Sequence, residues 1–302
     1  MYKRLELHNH TTESDASITC RELVEYMVSD RVDAFAITDH NTISGHRKIR
    51  KLLEEEHYPI QCIYGMEYTT YYGHILCLNL EKYVPWEDIN LHHPELLFEA
   101  AREKGALVGI AHPYSYGHPF ARGCRFDMQV TDYSCVDFIE IFNNPEPLHE
   151  VNERGLHLWE DLVLSGQKLA MTCGMDLHGK WSMAGQYATF IQGEADGDIA
   201  SELKEAIRNQ KTCISRGPVL TGEFTDGGLV FSLEETGKPG WSHNPQLPYL
   251  VTVRSANHTV TKPLGETFLA AEFGQDPVLI PKLFEGDTSL ENLICVGSAL
   301  CR

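Results

Sequence analysis

The sequence predicts an α/β chain: a parallel sheet or barrel through the first two thirds, followed by a small, mostly β carboxy-terminal domain. Three features point there. Short apolar β-type runs alternate with stretches of helical periodicity. From Pro218 onward the texture changes: the last 85 residues hold seven of the 14 prolines, with turn chemistry between short β-like runs. Histidines and carboxylates recur at the ends of the earlier apolar runs, and of 15 histidines only His243 and His258 lie in the last region. A length of 302 residues suits a barrel-sized domain, here 1–217, with an appendage over 218–302.

The elements follow in order. Arg4–His8 is the first strand. Thr19-Cys20-Arg21-Glu22 is a capping-box pattern opening a helix with Leu23, Val24, Met27 and Val28 on one face. A strand over Asp33–Thr38 precedes a helix through Ile49, Leu52 and Leu53, which Ser44 would cap. Strands at Gln61–Thr69 and His74–Leu80 lead to a helix over Pro94–Lys104, stopped by Gly105. Strands at Ala106–Ala111 and Asp137–Phe142 come next, then a helix through Leu156, Trp159 and Leu162 ending near Gly166. Strands at Leu169–Gly174 and Ala188–Ile191 and a helix near Ile199–Arg208 complete the alternation. Beyond it, Leu229–Leu233, Tyr249–Arg254 and Leu293–Val296 read as strands.

Lysine and arginine total 25 against 43 aspartates and glutamates, a net charge of −18. That balance argues against a nucleic-acid scaffold or an anionic membrane as partner, though not against small phosphorylated molecules. The amino terminus has no apolar signal segment, and no run approaches the roughly 18 apolar residues that span a bilayer. Nine scattered cysteines, none in C-x-x-C spacing, read as free thiols in a reducing cytoplasm.

The chemistry gathers at strand ends. In Leu7-His8-Asn9-His10 two imidazoles stand two apart, on one face of a strand, although a lone H-x-H is as consistent with surface histidines as with a metal site. Thr38-Asp39-His40, Gly65-Met66-Glu67, Gly73-His74, Ala111-His112-Pro113 and Gly174-Met175-Asp176-Leu177-His178 repeat the theme. Singly, Asp39 could cap a helix and His112 could be a packed core residue. Together, five strand ends supplying His, Asp or Glu resemble the carboxyl-end face of an α/β barrel, where such enzymes build their sites.

In order and strand context these motifs resemble the PHP (polymerase and histidinol phosphatase) family over roughly residues 1–217. His10-Thr11-Thr12-Glu13-Ser14-Asp15-Ala16 is similar to the family's H-S-x-x-S-D-G, with alanine where glycine is usual. The resemblance implies a distorted seven-stranded, TIM-like (β/α) barrel with two or three divalent transition metals (Mn, Fe or Zn). It implies His8, His10, Glu67 and Asp176 at a first ion, Glu67 bridging to a second with His74 and His112, and Asp15, His40 and His178 at a third. Asp39 would orient an imidazole or a water behind these ligands, and Glu140 and Asn143 would either do the same or cap the following helix.

The activity so implied is metal-dependent phosphoesterase action on a small phosphorylated metabolite, a nucleotide or sugar phosphate, by a hydroxide bridging the metals. Arg122, Arg125 and Lys180 are candidate substrate-binding cations, with Tyr114, Tyr116 or Phe120 stacking on a base; the alternative is that the arginines pair with surface carboxylates. A carbamate or amide hydrolase is the competing activity, because Gly73–Leu78 and Ser215-Arg216-Gly217-Pro218 with the β-rich tail resemble the carbaryl-hydrolase-like branch. A metal-stabilised binding module is the non-enzymatic alternative. The remaining histidines read as surface or helix-face residues, and the tryptophans as packing residues, with Trp181 near the expected cluster.

Overall fold

The computed structural model describes residues 1–86, 89–116, 123–143 and 150–302. Strands β1 (Tyr2–Glu6), β2 (Ala34–Ile37) and β3 (Gln61–Thr70) run parallel. β4 (Gly73–Leu78) turns back against β3, and β5 (Leu107–Ile110), antiparallel to β4, restores the direction. β6 (Phe138–Asn143) and β7 (Ala170–Gly174) continue in parallel. On the other side of β1, β8 (Ala188–Gln192) and β9 (Cys213–Ser215) alternate in direction. Between strands lie α1 (Cys20–Ser29), α2 (Ser44–Glu56), α3 (Glu95–Glu103), α4 (Glu150–Leu164) and α5 (Ile199–Arg208). The architecture is the predicted α/β barrel with a β-rich carboxy-terminal region.

The barrel is distorted at one seam. Near the carboxyl ends, the extension of β7 meets that of β1 directly: the His10 amide donates to the Leu177 carbonyl at 3.0 Å, and the Leu177 amide to that of His8 at 3.3 Å. Lower down, buried threonine hydroxyls replace the missing ladder. Thr189 Oγ1 accepts from the Cys173 amide and donates to its carbonyl (2.9 and 3.0 Å), and Thr212 Oγ1 does the same for Met171 (3.3 and 2.6 Å). A buried strand edge must find such partners, and here side chains supply them.

Local signals act as expected in α1, whose Thr19 and Glu22 form the reciprocal capping box and whose Leu23, Val24 and Met27 are buried. In α2 the cap differs. Ser44 is already helical, the Thr42 hydroxyl accepts its amide at 3.1 Å, and the Ser44 hydroxyl reaches Glu13 at 2.7 Å.

The carboxy-terminal region extends the barrel sheet. β15 (Leu293–Val296) pairs with β9, followed outward by β14 (Val278–Glu285), β12 (Tyr249–Arg254) and β13 (Thr259–Pro263). β16 (Leu300–Cys301) pairs with β14, and β10 (Val219–Thr225) and β11 (Gly228–Glu234) form a separate hairpin. Sequence periodicity missed β14 because Pro281 lies inside it and reads as a breaker. β14 alternates between two cores: Ile280 and Phe284 face the barrel's, Leu279 and Leu283 the region's own. No helix among the described residues is long and apolar enough to cross a membrane. The cysteines are free thiols.

One ion cluster ties the two parts. Glu160 of α4, fully buried, accepts from Lys282 of β14 at 2.5 Å and from Arg254 at the end of β12, while Arg254 also reaches Asp161 at 2.6 Å. Burial opposes the Glu160 charge, but His157, Lys282 and Arg254 outweigh it and hold the carboxyl down at about 2. A folded-state value below the unfolded one stabilises fully above the unfolded value near 4.5 and loses that contribution as pH falls toward 2. Glu160→Gln should therefore lower the urea midpoint strongly at pH 7, a loss on the order of 3 kcal/mol, and the gap from wild type should narrow at pH 3. A gap that stays constant between the two pH values contradicts this role.

Candidate metal centre

The carboxyl ends of the parallel strands and the amino end of antiparallel β4 converge on Glu67, a fully buried carboxylate on β3. Its Oε1 lies 2.9 Å from His74 Nδ1 and 3.1 Å from His112 Nε2. Its Oε2 lies 2.9 Å from His40 Nδ1, 3.2 Å from His8 Nε2 and 3.4 Å from His10 Nε2. Asp176 Oδ1 completes the inner group at 2.9 Å from His10 Nε2 and 3.4 Å from His8 Nε2. Toward solvent, Asp15 Oδ1 stands 3.3 Å from His178 Nε2 and 3.6 Å from His40 Nε2.

The donors divide into overlapping groups whose atoms lie within 4.8 Å of one another: His8, His10, Glu67 and Asp176; His40, Glu67 and His74; His10, Asp15, His40 and His178; and His8, His112 and Glu140. His8 Nε2, both His10 ring nitrogens, Glu67 Oε2, His112 Nδ1 and Asp176 Oδ1 are buried without a hydrogen bond. Buried polar atoms left so are costly and rare. Nitrogen and oxygen donors without thiolate, aimed at shared points, fit divalent transition metals and do not select among them. The cluster therefore suits several ions, with Glu67 able to serve two of them through its separate oxygens.

Charge complementarity within the chain follows the same geometry. Burial lowers the affinity of His8 for a proton, yet Glu140, Glu67 and Asp176 outweigh it and raise its pKa well above the usual imidazole value. The same competition, won by Glu67, brings His112 to about 9 and raises His40. For His10 burial wins and its value falls. Burial opposes the charge on Glu67 and Asp176, but the imidazoles, His8 foremost, hold both carboxyls below their usual range.

Three of the seven positive-φ non-glycine residues among the described ones stand here, His112 (φ 27°), Asp176 (φ 46°) and Asn41 (φ 53°), next to His40; their residue types are the ones that enter this sparsely populated region most readily. Asn41 is fixed there by exchanging two 3.0 Å side-chain bonds with the Thr69 backbone. At Gly174 the constraint is space: a Cβ would stand 2.4 Å from His8 Cβ and 3.0 Å from Glu140 Oε1.

A match to the PHP domain spans residues 6–143. An uncharacterized protein of Methanocaldococcus jannaschii is 30% identical over 154 residues, covering 46% of this chain and 81% of that protein. The chain belongs to the PHP domain family. Over 80 residues it is also 35% identical to a 5'-3' exoribonuclease of Escherichia coli, covering 25% of this chain but only 27% of the exoribonuclease. In fold, a two-domain Bacteroides vulgatus protein containing a predicted PHP-like metal-dependent phosphoesterase aligns with a TM-score of 0.58 at 14% identity, covering 99% of this chain and 95% of its own.

Within this PHP chain the structure brings all nine expected donors together: His8, His10, Asp15, His40, Glu67, His74, His112, Asp176 and His178. Asp39 is bonded to no imidazole among the described residues. Its carboxylate accepts from the Thr11 amide (2.7 Å), the Thr11 hydroxyl (2.9 Å) and the Ser14 hydroxyl (2.7 Å), so it pins the loop carrying Asp15. The orienting role falls to Glu140, whose Oε1 meets His8 Nδ1 at 2.9 Å and whose Oε2 accepts from the His112 amide and Asn143 Nδ2, each at 3.1 Å. Of the two roles open to Glu140 in the sequence, orienting a ligand or capping the following helix, these contacts match the first. Arg122, Phe120 and His149 lie outside the described residues. Arg125 pairs with Asp127 at 3.7 Å and Lys180 with Glu22 at 3.2 Å, both on the surface.

Two variants test the centre. Glu67→Gln, keeping shape but removing the shared charge, should lower the ions bound per chain, measured by inductively coupled plasma mass spectrometry, with circular dichroism retained; unchanged stoichiometry contradicts a bridging role. Gly174→Ala should displace His8 and Glu140 and also lower metal content, whereas a fully loaded variant would show that β1 yields without disturbing the site.

Proposed function

We propose that this protein is a metal-dependent phosphoesterase acting on a small phosphorylated substrate. The observation that carries the reading is Glu67, whose two oxygens face separate sets of imidazoles within one buried cluster. Ions bound there would supply Lewis acidity, activating water at neutral pH and offsetting charge that builds on a phosphoryl group. The 5'-3' exoribonuclease similarity, short as it is, falls on a phosphoester-cleaving protein.

The chain's own residues supply position. His8, His10, Glu67 and Asp176 would hold one ion, Glu67 with His74 and His112 a second, and Asp15, His40 and His178 a third. Glu140 fixes the His8 ring so that Nε2 faces inward, and Asp39 fixes the loop presenting Asp15. Access is graded. Glu67, His8 and His10 are fully buried, whereas His40, His178 and Asp15 have side chains 18%, 29% and 60% exposed, so substrate enters beside the outer group. Among the described residues Lys180 and Arg125 are held by exposed ion pairs, which can exchange a carboxylate for a phosphate.

Manganese-loaded protein should release phosphate from nucleoside monophosphates, 3',5'-bisphosphates, cyclic phosphates or sugar phosphates, with Asp176→Asn and chelator-treated protein as blanks. No turnover across the panel, with metals confirmed bound, would instead favour hydrolysis of a carbamate or amide at the same cluster.

A further inference from the structure

At the end of the barrel away from the metal centre, a cavity of about 480 Å³ opens where the segments entering β5, β6 and β7 meet the end of α5. Arg102, Lys168 and Arg208 line it, and Asp137 is the one acidic residue among the described residues that does so. In a chain with 25 basic against 43 acidic residues, such a surplus of positive charge runs against the composition. Nor is it a property of that end as a whole. A second cavity along α5 is lined by Glu194, Glu202 and Glu205, with Lys211 as its one basic side chain.

The three cations are held differently. Arg102, in the last turn of α3, donates to the Ser134 carbonyl at 2.6 Å and stands 3.4 Å from Asp137, so its guanidinium is fixed at the wall. Asp137 is buried and already accepts from the Val108 amide at 2.9 Å. Burial pushes its carboxyl up, and that amide, Arg102, Arg208 and nearby Lys204 act against the shift. Asp132, close to Arg102, turns its carboxylate to the Ser134 amide and hydroxyl, each at 2.8 Å. Lys168 and Arg208, by contrast, are exposed, and their side chains make no hydrogen bond or ion pair among the described residues. Capping does not account for them. The helix ends around the cavity are closed by backbone amides: the Arg102 carbonyl accepts from Gly105 at 2.9 Å, that of Val163 from Gly166 at 3.0 Å, and that of Ala206 from Lys211 at 2.7 Å.

We propose that this cavity is a second ligand site, which binds a small phosphate monoester through Arg102, Lys168 and Arg208. Three cations against one carboxylate leave a surplus that a phosphate monoester, with its nearly two negative charges at neutral pH, matches. Two guanidiniums offer paired N–H donors to its oxygens, and the lysine adds a point charge. The volume falls among those of small-molecule sites, roughly 300–1,000 Å³, and a lone phosphate would leave most of it empty. The partly buried Tyr133 ring and buried Val136 line the remainder and give the esterified group an apolar wall. The site does not depend on what the metal centre hydrolyses.

The probe is phenylphosphonate, whose P–C bond withstands a phosphoesterase, titrated calorimetrically into metal-loaded protein. A chain carrying both Lys168→Ala and Arg208→Ala should lose one binding site of the wild type, with affinity there falling about tenfold or more, at unchanged metal content and circular dichroism. Asp176→Asn, which alters only the metal centre, should keep that site. So should a chain carrying Arg47→Ala and Lys51→Ala, which removes the same charge from the exposed face of α2. Inorganic phosphate should bind there more weakly than phenylphosphonate, because it leaves the apolar wall uncovered. Identical titrations of wild type and the Lys168, Arg208 variant overturn the proposal, as does an equal loss in the α2 variant. Loss of the site in Asp176→Asn would place the binding at the metal centre and overturns it too. Phosphate and phenylphosphonate binding equally well overturns the assignment to an ester.

Discussion

Glu67 is a carboxylate with no access to water, and five imidazoles stand within 3.4 Å of its two oxygens. An isolated charge at such a depth is prohibitively costly, so the group can exist only where cations or donors converge on it. Much of the barrel's local geometry serves that convergence. β1 and β7 approach closely enough that only glycine fits at position 174, and His112 and Asp176 hold left-handed conformations to turn their side chains inward.

The carboxy-terminal region is part of the same mechanical unit. The sheet runs unbroken from β9 into β15, and Glu160 reaches from a barrel helix to cations on β14 and β12. On another side, the loop that follows His178 is tied to the segment before β12: Lys238, itself buried, donates to the Met183 carbonyl at 3.0 Å, and the Gly185 amide to that of Pro239 at 3.0 Å. Burial, followed by the neighbouring Arg4 charge, lowers the Lys238 pKa to about 8, while Glu6 and Asp30 act in the opposite sense. The loop bearing Asp176 and His178 is therefore braced from both ends, by β7 and by the appended region.

The centre combines a rigid floor with an open rim. The inner donors are locked by Glu140 and by strand packing, and the outer ones stand on loops fixed through Asp39, Ser17 and the Trp181 backbone. This division lets chemistry and selectivity be set by different residues: metal ligation needs donor positions accurate to a fraction of an ångström, whereas recognition needs exposed groups that a ligand can cover.

Much of this was legible in one dimension. Strand–helix alternation follows from periodicity and the α1 cap from four residues. Eight of the nine donors stand in short motifs at strand ends or, for His74, a strand start, which a barrel gathers at one end, whereas Asp15, in a loop, was implied only by the resemblance to the PHP family. What sequence could not determine depends on contacts between distant segments. That Asp39 serves a loop and Glu140 a ring follows from which strand lies opposite which, a matter of barrel closure. β14 stayed hidden because a proline inside a strand is tolerated only in a particular register, and register is set by partners far along the chain. The sequence by itself determined which groups can bind metal; the tertiary structure alone decided which of them share Glu67, which open to solvent, and what holds them there, because burial and distance are properties of the folded chain.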